Sequence, residues 1–304
     1  MYTLAYKKKK SNNISSFKIQ DNFLNMSITP VEDCVVDFGD GTKQIYTGNN
    51  SLTIVEHSYS ESNIYTIKIT GNHSNFMASQ NTIEIIQLAD SVTSCVGMFL
   101  NCWSLTTIPS TFTIPNSVTD CSYMFTECSS LTTIPSTFTI PNSVTNCSYM
   151  FSGCSSLTTI PSTFTIPNSV TNCSYMFSGC SSLTTIQEGF TLGNSVTDCL
   201  AMFVNCSKIT EIPETLIIPD SVTNCSDMFS GCSSLTSDIS NIWPEEFTYT
   251  ETINVEDMFD GCSKVVGTVP ADKLWNSGKT FNSTGCFGNC TSLTNYNDIP
   301  AGWK

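Results

Sequence analysis

The chain has 304 residues, of which 26 are acidic and twelve are lysine, with no arginine, giving a formal net charge of −14. A nucleic-acid binder needs a basic face to neutralise phosphates, and no lysine lies between Lys68 and Lys208, so that partner class is excluded. No run approaches the roughly 18 apolar residues of a membrane-spanning helix, so no membrane span is expected.

Residues 1–16 read as a polar, basic leader. Its one charged feature, Lys7, Lys8, Lys9 and Lys10, is either a solvated run or an anchor to an acidic partner. No apolar run comes after these lysines, so no signal peptide is recognisable. Three explanations stay open: a trimmed signal, signal-independent export, or display on a virion.

Residues 17–80 read as a small β module. SFKIQ (16–20) and NFLNMSI (22–28) alternate as strands do, and Val35, Val36 and Phe38 give strand character to the next segment. Gly39-Asp40-Gly41 forces a turn. Tyr65, Ile67 and Ile69 then alternate with Thr66, Lys68 and Thr70, the pattern of a half-buried strand. The turn Phe38-Gly39-Asp40-Gly41, with His57, Tyr59, Tyr65, Thr66 and Ile67, resembles the PKD family of immunoglobulin-like domains. That resemblance implies a small antiparallel sandwich, often a spacer in surface proteins. Asp37 and Asp40 read as turn-capping carboxylates rather than metal ligands, and His57 as a packed or hydrogen-bonded strand residue. Residues 72–81 are a polar connector, and 81–90 an entry cap in which Ile83, Ile85 and Ile86 cover the first coil of a long C-terminal array.

From residue 91 the chain repeats itself. Val92, Val118, Val144, Val170, Val196 and Val222 are 26 residues apart, and so are Phe99, Phe125, Phe151, Phe177, Phe203 and Phe229. Phe259 and Phe287 continue the series with longer steps. A fixed period of this size means stacked units whose like residues lie over one another. Within residues 169–194, Cys173, Met176, Phe177 and Cys180 fall at i, i+3, i+4 and i+7, which predicts a short helix with Asn172 as its N-cap and Gly179 near its end. Leu183 and Ile186 lie on a succeeding strand. Pro161 and Pro167 keep the segment around Phe164 from being a fully paired strand. The fold expected is a repeat solenoid of about eight coils, each a short strand plus a short helix, regular over 91–240.

The runs MFSGCSSLTTIP and IPNSVTNCSYMF, with Phe151, Cys154 and Leu157 as the aromatic-Cys-Leu signature, resemble the BspA-like leucine-rich repeats of bacterial surface proteins, in particular a branch noted in mycoplasma lipoproteins. The resemblance implies a leucine-rich-repeat solenoid used for adhesion or recognition. Residues 241–304 read as irregular last repeats and a C-terminal cap. Trp243, Trp275 and Trp303 suit that cap, with a ligand patch as the alternative. Asp220, Asp227, Glu245, Glu246, Glu256 and Asp257 make this third acidic and read as solvated.

Sixteen cysteines raise the question of disulfides or metal. The pair in each repeat is seven apart, about 10 Å along a helix and too far for a bond, and the spacing is not that of a zinc site. Two ladders of buried, reduced thiols are the reading, with disulfides between adjacent coils as the alternative. Asn-Cys-Ser sequons such as those at Asn146 and Asn172 read as caps. Catalysis needs a perturbed acid, base or nucleophile in a cleft, and the repeats offer none, so neither enzyme activity nor a cofactor is expected. What remains is the outer face: Tyr123, Tyr149 and Tyr175 as anchors, and Ser/Thr ladders including Thr158, Thr159, Thr163 and Thr165. These point to a recognition or adhesion protein, displayed on a cell or virion surface, that binds a protein or glycan. The alternative is a structural or decoration component of a phage particle docked through its N-terminal region.

Overall fold

A computed structural model describes residues 12–245 and 252–304, so the lysine run at 7–10 and Glu246 lie outside the described residues. The N-terminal part is a single six-stranded antiparallel sheet. Its strands are β1 (Ile14–Pro30), β2 (Cys34–Asp37), β3 (Lys43–Tyr46), β4 (Thr53–Thr70), β5 (His73–Met77) and β6 (Thr82–Gln87). The order is β3-β2-β4-β1-β5, with β6 also beside β1. The expected two-sheet sandwich is therefore replaced by one sheet. The physical reason lies in β1 and β4, which run 17 and 18 residues and pair along almost their whole length, from Ile14↔Thr70 to Ile28↔Thr53. A bulge between Asp21 and Phe23 shifts the register once.

The turn after β2 is held as its sequence suggests. Asp37 accepts from the Gly39 N–H, and Asp40 accepts from the backbone and hydroxyl of Thr42. His57 bonds Asp40 at 2.8 Å and stacks on Phe38, 4.1 Å between ring centres.

The repeats stack, but without helices. Among the described residues the only helical turns are two 3-10 turns near the C-terminus, Tyr296–Asp298 and Ala301–Trp303. The expectation of a leucine-rich-repeat solenoid with a helix in every coil is overturned. The segment predicted as helical takes positive φ twice per winding, at Tyr123 and Glu127 (both 59°), at Tyr149 (59°) and Gly153 (72°), and at Tyr175 (56°) and Gly179 (70°). Left-handed residues four apart rule out a right-handed helix. They also turn alternate N–H groups outward along the stack. Cys121, Tyr123, Phe125 and Glu127 donate to carbonyls of the next winding at Asn146, Ser148, Met150 and Ser152, at 2.7–2.9 Å. The intervening Met124, Thr126 and Cys128 close tight turns within their own winding. Apolar residues at i, i+3, i+4 and i+7 thus share one side of a turn-rich ribbon, not one face of a helix.

Asn172 does supply a cap-like bond: its Oδ1 accepts from the Ser174 N–H at 2.9 Å, closing a local turn without a helix behind it. Pro161 and Pro167 each open a turn, closed by the N–H of Phe164 and of Val170. The strand content of a winding shrinks to a parallel step such as β7 (Thr159–Ile160) against β8 (Thr185–Ile186). Parallel bridges link Asp120, Asn146, Asn172, Asp198, Asn224 and Asn254 in succession. A last two-residue pair, β9 (Ile253–Asn254) and β10 (Phe281–Asn282), is parallel too.

Like residues pile into fully buried columns. The valines of the series from Val92 to Val222 and the phenylalanines of the series from Phe99 to Phe287 have no exposed surface. Phe125, Phe151 and Phe177 stack with centres 5.3 and 5.5 Å apart. A second column, Phe112, Phe138, Phe164 and Phe190, meets the first edge to face. The ends of the stack are covered differently from each other. At the start, β5 serves as a zeroth winding: the Ser74 carbonyl accepts from Thr93, Ala78 donates to the Met98 carbonyl at 2.7 Å, and Phe76 packs edge-on against Phe99. The segment read as a polar connector is therefore part of the seal. At the finish, Trp303 stacks on Phe287 while its carbonyl accepts from the Phe287 N–H. Trp243 packs edge-on against Phe259 and Phe287.

Candidate functional site

The outer side of the first left-handed position carries the most distinctive surface feature. Gly97, Tyr123, Tyr149, Tyr175, Ala201, Asp227, Asp257 and Gly285 all have φ between 51° and 69° and occupy equivalent places in successive windings. Glycine takes this conformation freely, whereas a side chain costs about 1 kcal/mol or more. In three consecutive windings the residue is nonetheless tyrosine. The rings stack face to face, Tyr123 on Tyr149 at 4.6 Å and Tyr149 on Tyr175 at 4.5 Å, within 9° of parallel. Tyr123 is 40% exposed, and the other two are half-buried by their neighbours. Burial, with the phenols of Tyr175 and Tyr123 alongside, raises the pKa of the Tyr149 hydroxyl above its ordinary value. Sequence spacing placed these tyrosines outward. It did not reveal the left-handed backbone beneath them, because glycine and tyrosine at one repeat position read as unrelated.

The threonines turn inward in function. Thr158 donates both its N–H and its hydroxyl to the Thr132 carbonyl, and Thr184 repeats this onto Thr158. The Thr163 hydroxyl donates to the Ser136 carbonyl at 2.6 Å. Thr159 lies in β7, paired to Thr185. Thr165 is exposed. Thr158, Thr163 and Thr184 thus spend their hydroxyls on joining windings.

The cysteines are all free and buried. In the ladder from Cys128 to Cys290, each thiol donates to the carbonyl of the phenylalanine in the preceding winding, for example Cys154 to Phe125 and Cys180 to Phe151, both at 3.2 Å. Burial pushes Cys102 and Cys262 up to about 12, so the thiolate form is absent at neutral pH. Asp227 and Asp257 continue the tyrosine column, and their carboxyls are raised by burial first and then by neighbouring carboxylates. No group of three His, Cys, Asp or Glu able to hold a metal comes together among the described residues.

Two features escaped sequence reasoning. His73 is fully buried: its Nδ1–H faces the Gly71 carbonyl at 2.9 Å, and Nε2 meets the Ser15 hydroxyl at 2.8 Å. Trp103 is half exposed at the mouth of a cleft between the sheet and the first winding. The signal for it is a broken rule, since every later winding carries Ser or Thr after its second cysteine. The other tryptophans do not form a ligand patch: Trp243 and Trp303 are buried in the end cap, and Trp275 packs edge-on against Trp303.

Residues 93–216 and 194–299 match the family described as "Mycoplasma protein of unknown function, DUF285". The match lies within the stacked windings and their end cap and leaves the N-terminal sheet outside. No curated protein and no solved structure matches the chain. The match agrees with the resemblance to mycoplasma surface repeat proteins, while nothing in these comparisons supports a PKD domain or a leucine-rich repeat.

Proposed function

The chain belongs to the DUF285 family of mycoplasma proteins across residues 93–299, and on that premise we propose that it is a non-enzymatic recognition or adhesion protein displayed at a cell surface. The stacked windings act as a stiff support, and the tyrosine ladder is the contact surface. The observation that carries this reading is the left-handed backbone at Tyr123, Tyr149 and Tyr175. Local strain in a non-glycine residue persists where surrounding structure holds it for a purpose. Here the architecture does not require tyrosine, because Gly97, Ala201, Asp227 and Gly285 fill the same place in other windings. Three stacked phenols offer a rigid, amphipathic strip that loses little side-chain entropy on binding, the character of interface hot spots.

The partner class is a protein or glycan on a neighbouring or host surface. The experiment is binding of the purified chain to host cells, compared with a Tyr149→Gly/Tyr175→Gly double variant. Glycine suits the backbone here, so the variant stays folded. A fall in binding of about tenfold or more is expected; equal binding by the variant refutes the ladder as contact surface.

A further inference from the structure

We propose that the cleft between the N-terminal sheet and the first winding binds a neutral saccharide, at a site separate from the tyrosine ladder. The cleft encloses about 670 Å3, inside the roughly 300–1,000 Å3 range of small-ligand sites. One wall is the outer face of β1 and the start of β4. The other runs through Met77–Asn81 and Leu100–Ser104.

Four large apolar side chains of this lining face solvent: Phe23 (41% exposed), Leu52 (61%), Ile54 (59%) and Trp103 (51%). Their concentration at one concavity marks a binding surface. Trp103 sharpens the case because it departs from the repeat. Its counterparts are Ser129, Ser155, Ser181, Ser207, Ser233 and Ser263, then Thr291. A tryptophan serving as an end cap is buried, as Trp243 and Trp303 are. Neither core nor cap calls for an indole left half in water.

The polar lining selects the ligand class. Asn25, Gln80 and Asn101 are carboxamides, each able to donate and accept, whereas the Asn81 amide N–H groups are committed to Asp21 and the Phe23 carbonyl and only its oxygen lacks a partner. Among the described residues no lysine, arginine or histidine lines the cleft, so none of them offers an anion a counter-charge. Asp21 is the one carboxylate among the described lining residues, and it is already engaged by the Asn81 amide at 3.0 Å and the Asn22 N–H at 2.6 Å, so it is not a free clamp for a cation. Apolar ring faces bordered by amides match a pyranose, which has a C–H face for the indole and an edge of hydroxyls that each donate and accept.

The test uses the full chain and a panel of neutral oligosaccharides of glucose, galactose, mannose and N-acetylglucosamine. Trp103 is the most exposed tryptophan, so its emission should change and saturate as a binding sugar is added. By calorimetry, Trp103→Ala should lose at least about tenfold in affinity, and Phe23→Ala should weaken binding as well. Both positions are surface-exposed, so the thermal unfolding midpoint should stay near that of the parent. The Tyr149→Gly/Tyr175→Gly variant should keep full sugar affinity, which separates failure of this site from failure of the ladder. The proposal is overturned if no panel member binds at millimolar concentration, if Trp103→Ala binds as the parent does, or if peptides saturate the cleft where sugars do not.

Discussion

The thiol of Cys180 donates to the carbonyl of Phe151, 29 residues earlier, at 3.2 Å. The same carbonyl also accepts the N–H of Cys154 in its own winding. One acceptor thereby takes two donors, and the second comes from a side chain small and apolar enough to be buried. This accounts for cysteine, rather than alanine or serine, at that position. Alanine removes the donor, and serine introduces a hydroxyl with more hydrogen-bonding demand than the site supplies.

The same geometry predicts thiol reactivity. All sixteen cysteines are buried and free, and those with resolved shifts are raised chiefly by burial or by contact with a neighbouring thiol. The folded chain should react negligibly with a thiol reagent at neutral pH. In denaturant without reductant, close to sixteen equivalents should react. A count near zero after denaturation would mean that adjacent windings are disulfide-linked.

Phe177 touches Phe151 and Phe203 face to face and Phe164 and Phe190 edge-on. Phe177→Ala should open a cavity that the flanking windings cannot close, because each is held by its own ladder of hydrogen bonds. The expected loss is about 3–5 kcal/mol by denaturant unfolding. Phe177→Leu should lose markedly less, since it keeps most of the volume.

At Tyr149 two effects oppose. Removing the ring loses stacking worth about 0.5–1.5 kcal/mol per pair, while glycine relieves about 1–2 kcal/mol of left-handed backbone cost. Tyr149 makes two such pairs, so Tyr149→Gly should lie within about 2 kcal/mol of the parent. Tyr149→Val loses the stacks and keeps the strain in a β-branched residue, so it should cost about 2 kcal/mol or more. If valine is tolerated as well as glycine, the left-handed assignment at this column is wrong.

His73 gives the fold a pH dependence. Burial lowers its pKa below the ordinary 6.5, outweighing the bond to the Gly71 carbonyl. The folded state then binds the proton less readily than the unfolded chain does. Stability from the neutral ring is complete above 6.5 and is lost as pH falls from 6.5 toward the lowered folded value. The unfolding midpoint should drop between about pH 7 and pH 5, and His73→Gln should flatten that slope. An unchanged slope would assign the acid sensitivity to other groups.

The period of 26 residues announced the columns, because a buried Val or Phe must recur wherever its predecessor needs a partner. The alternating Tyr65, Ile67 and Ile69 announced β4 for a similar reason. The helix did not survive, because i, i+3, i+4 spacing is shared by any ribbon that turns tightly enough to put those residues on one side. Gly153, Gly179, Gly231 and Gly261, with Asn101 and Asn205 in equivalent places, were a legible hint of left-handed backbone near the expected helix end. The tyrosines at the other left-handed column hid the corresponding hint. The role of β5 was hidden as well: NHSNFMASQN looks polar, and only its pairing with the first winding brings Phe76 under Phe99. Trp103 was legible as an exception to the repeat, although the surface it faces belongs in part to β1, far earlier in the chain.

The two seals, Phe76 at one end and Trp303 at the other, are unique, while the windings from Val92 to Val222 repeat every 26 residues. Length is therefore a freely adjustable trait of this architecture. Unequal recombination that gains or drops a whole 26-residue unit moves the termini apart or together along the axis and leaves every surviving neighbour relationship intact. A lineage could in this way vary how far its outermost part stands from whatever holds the other end, without inventing any new core.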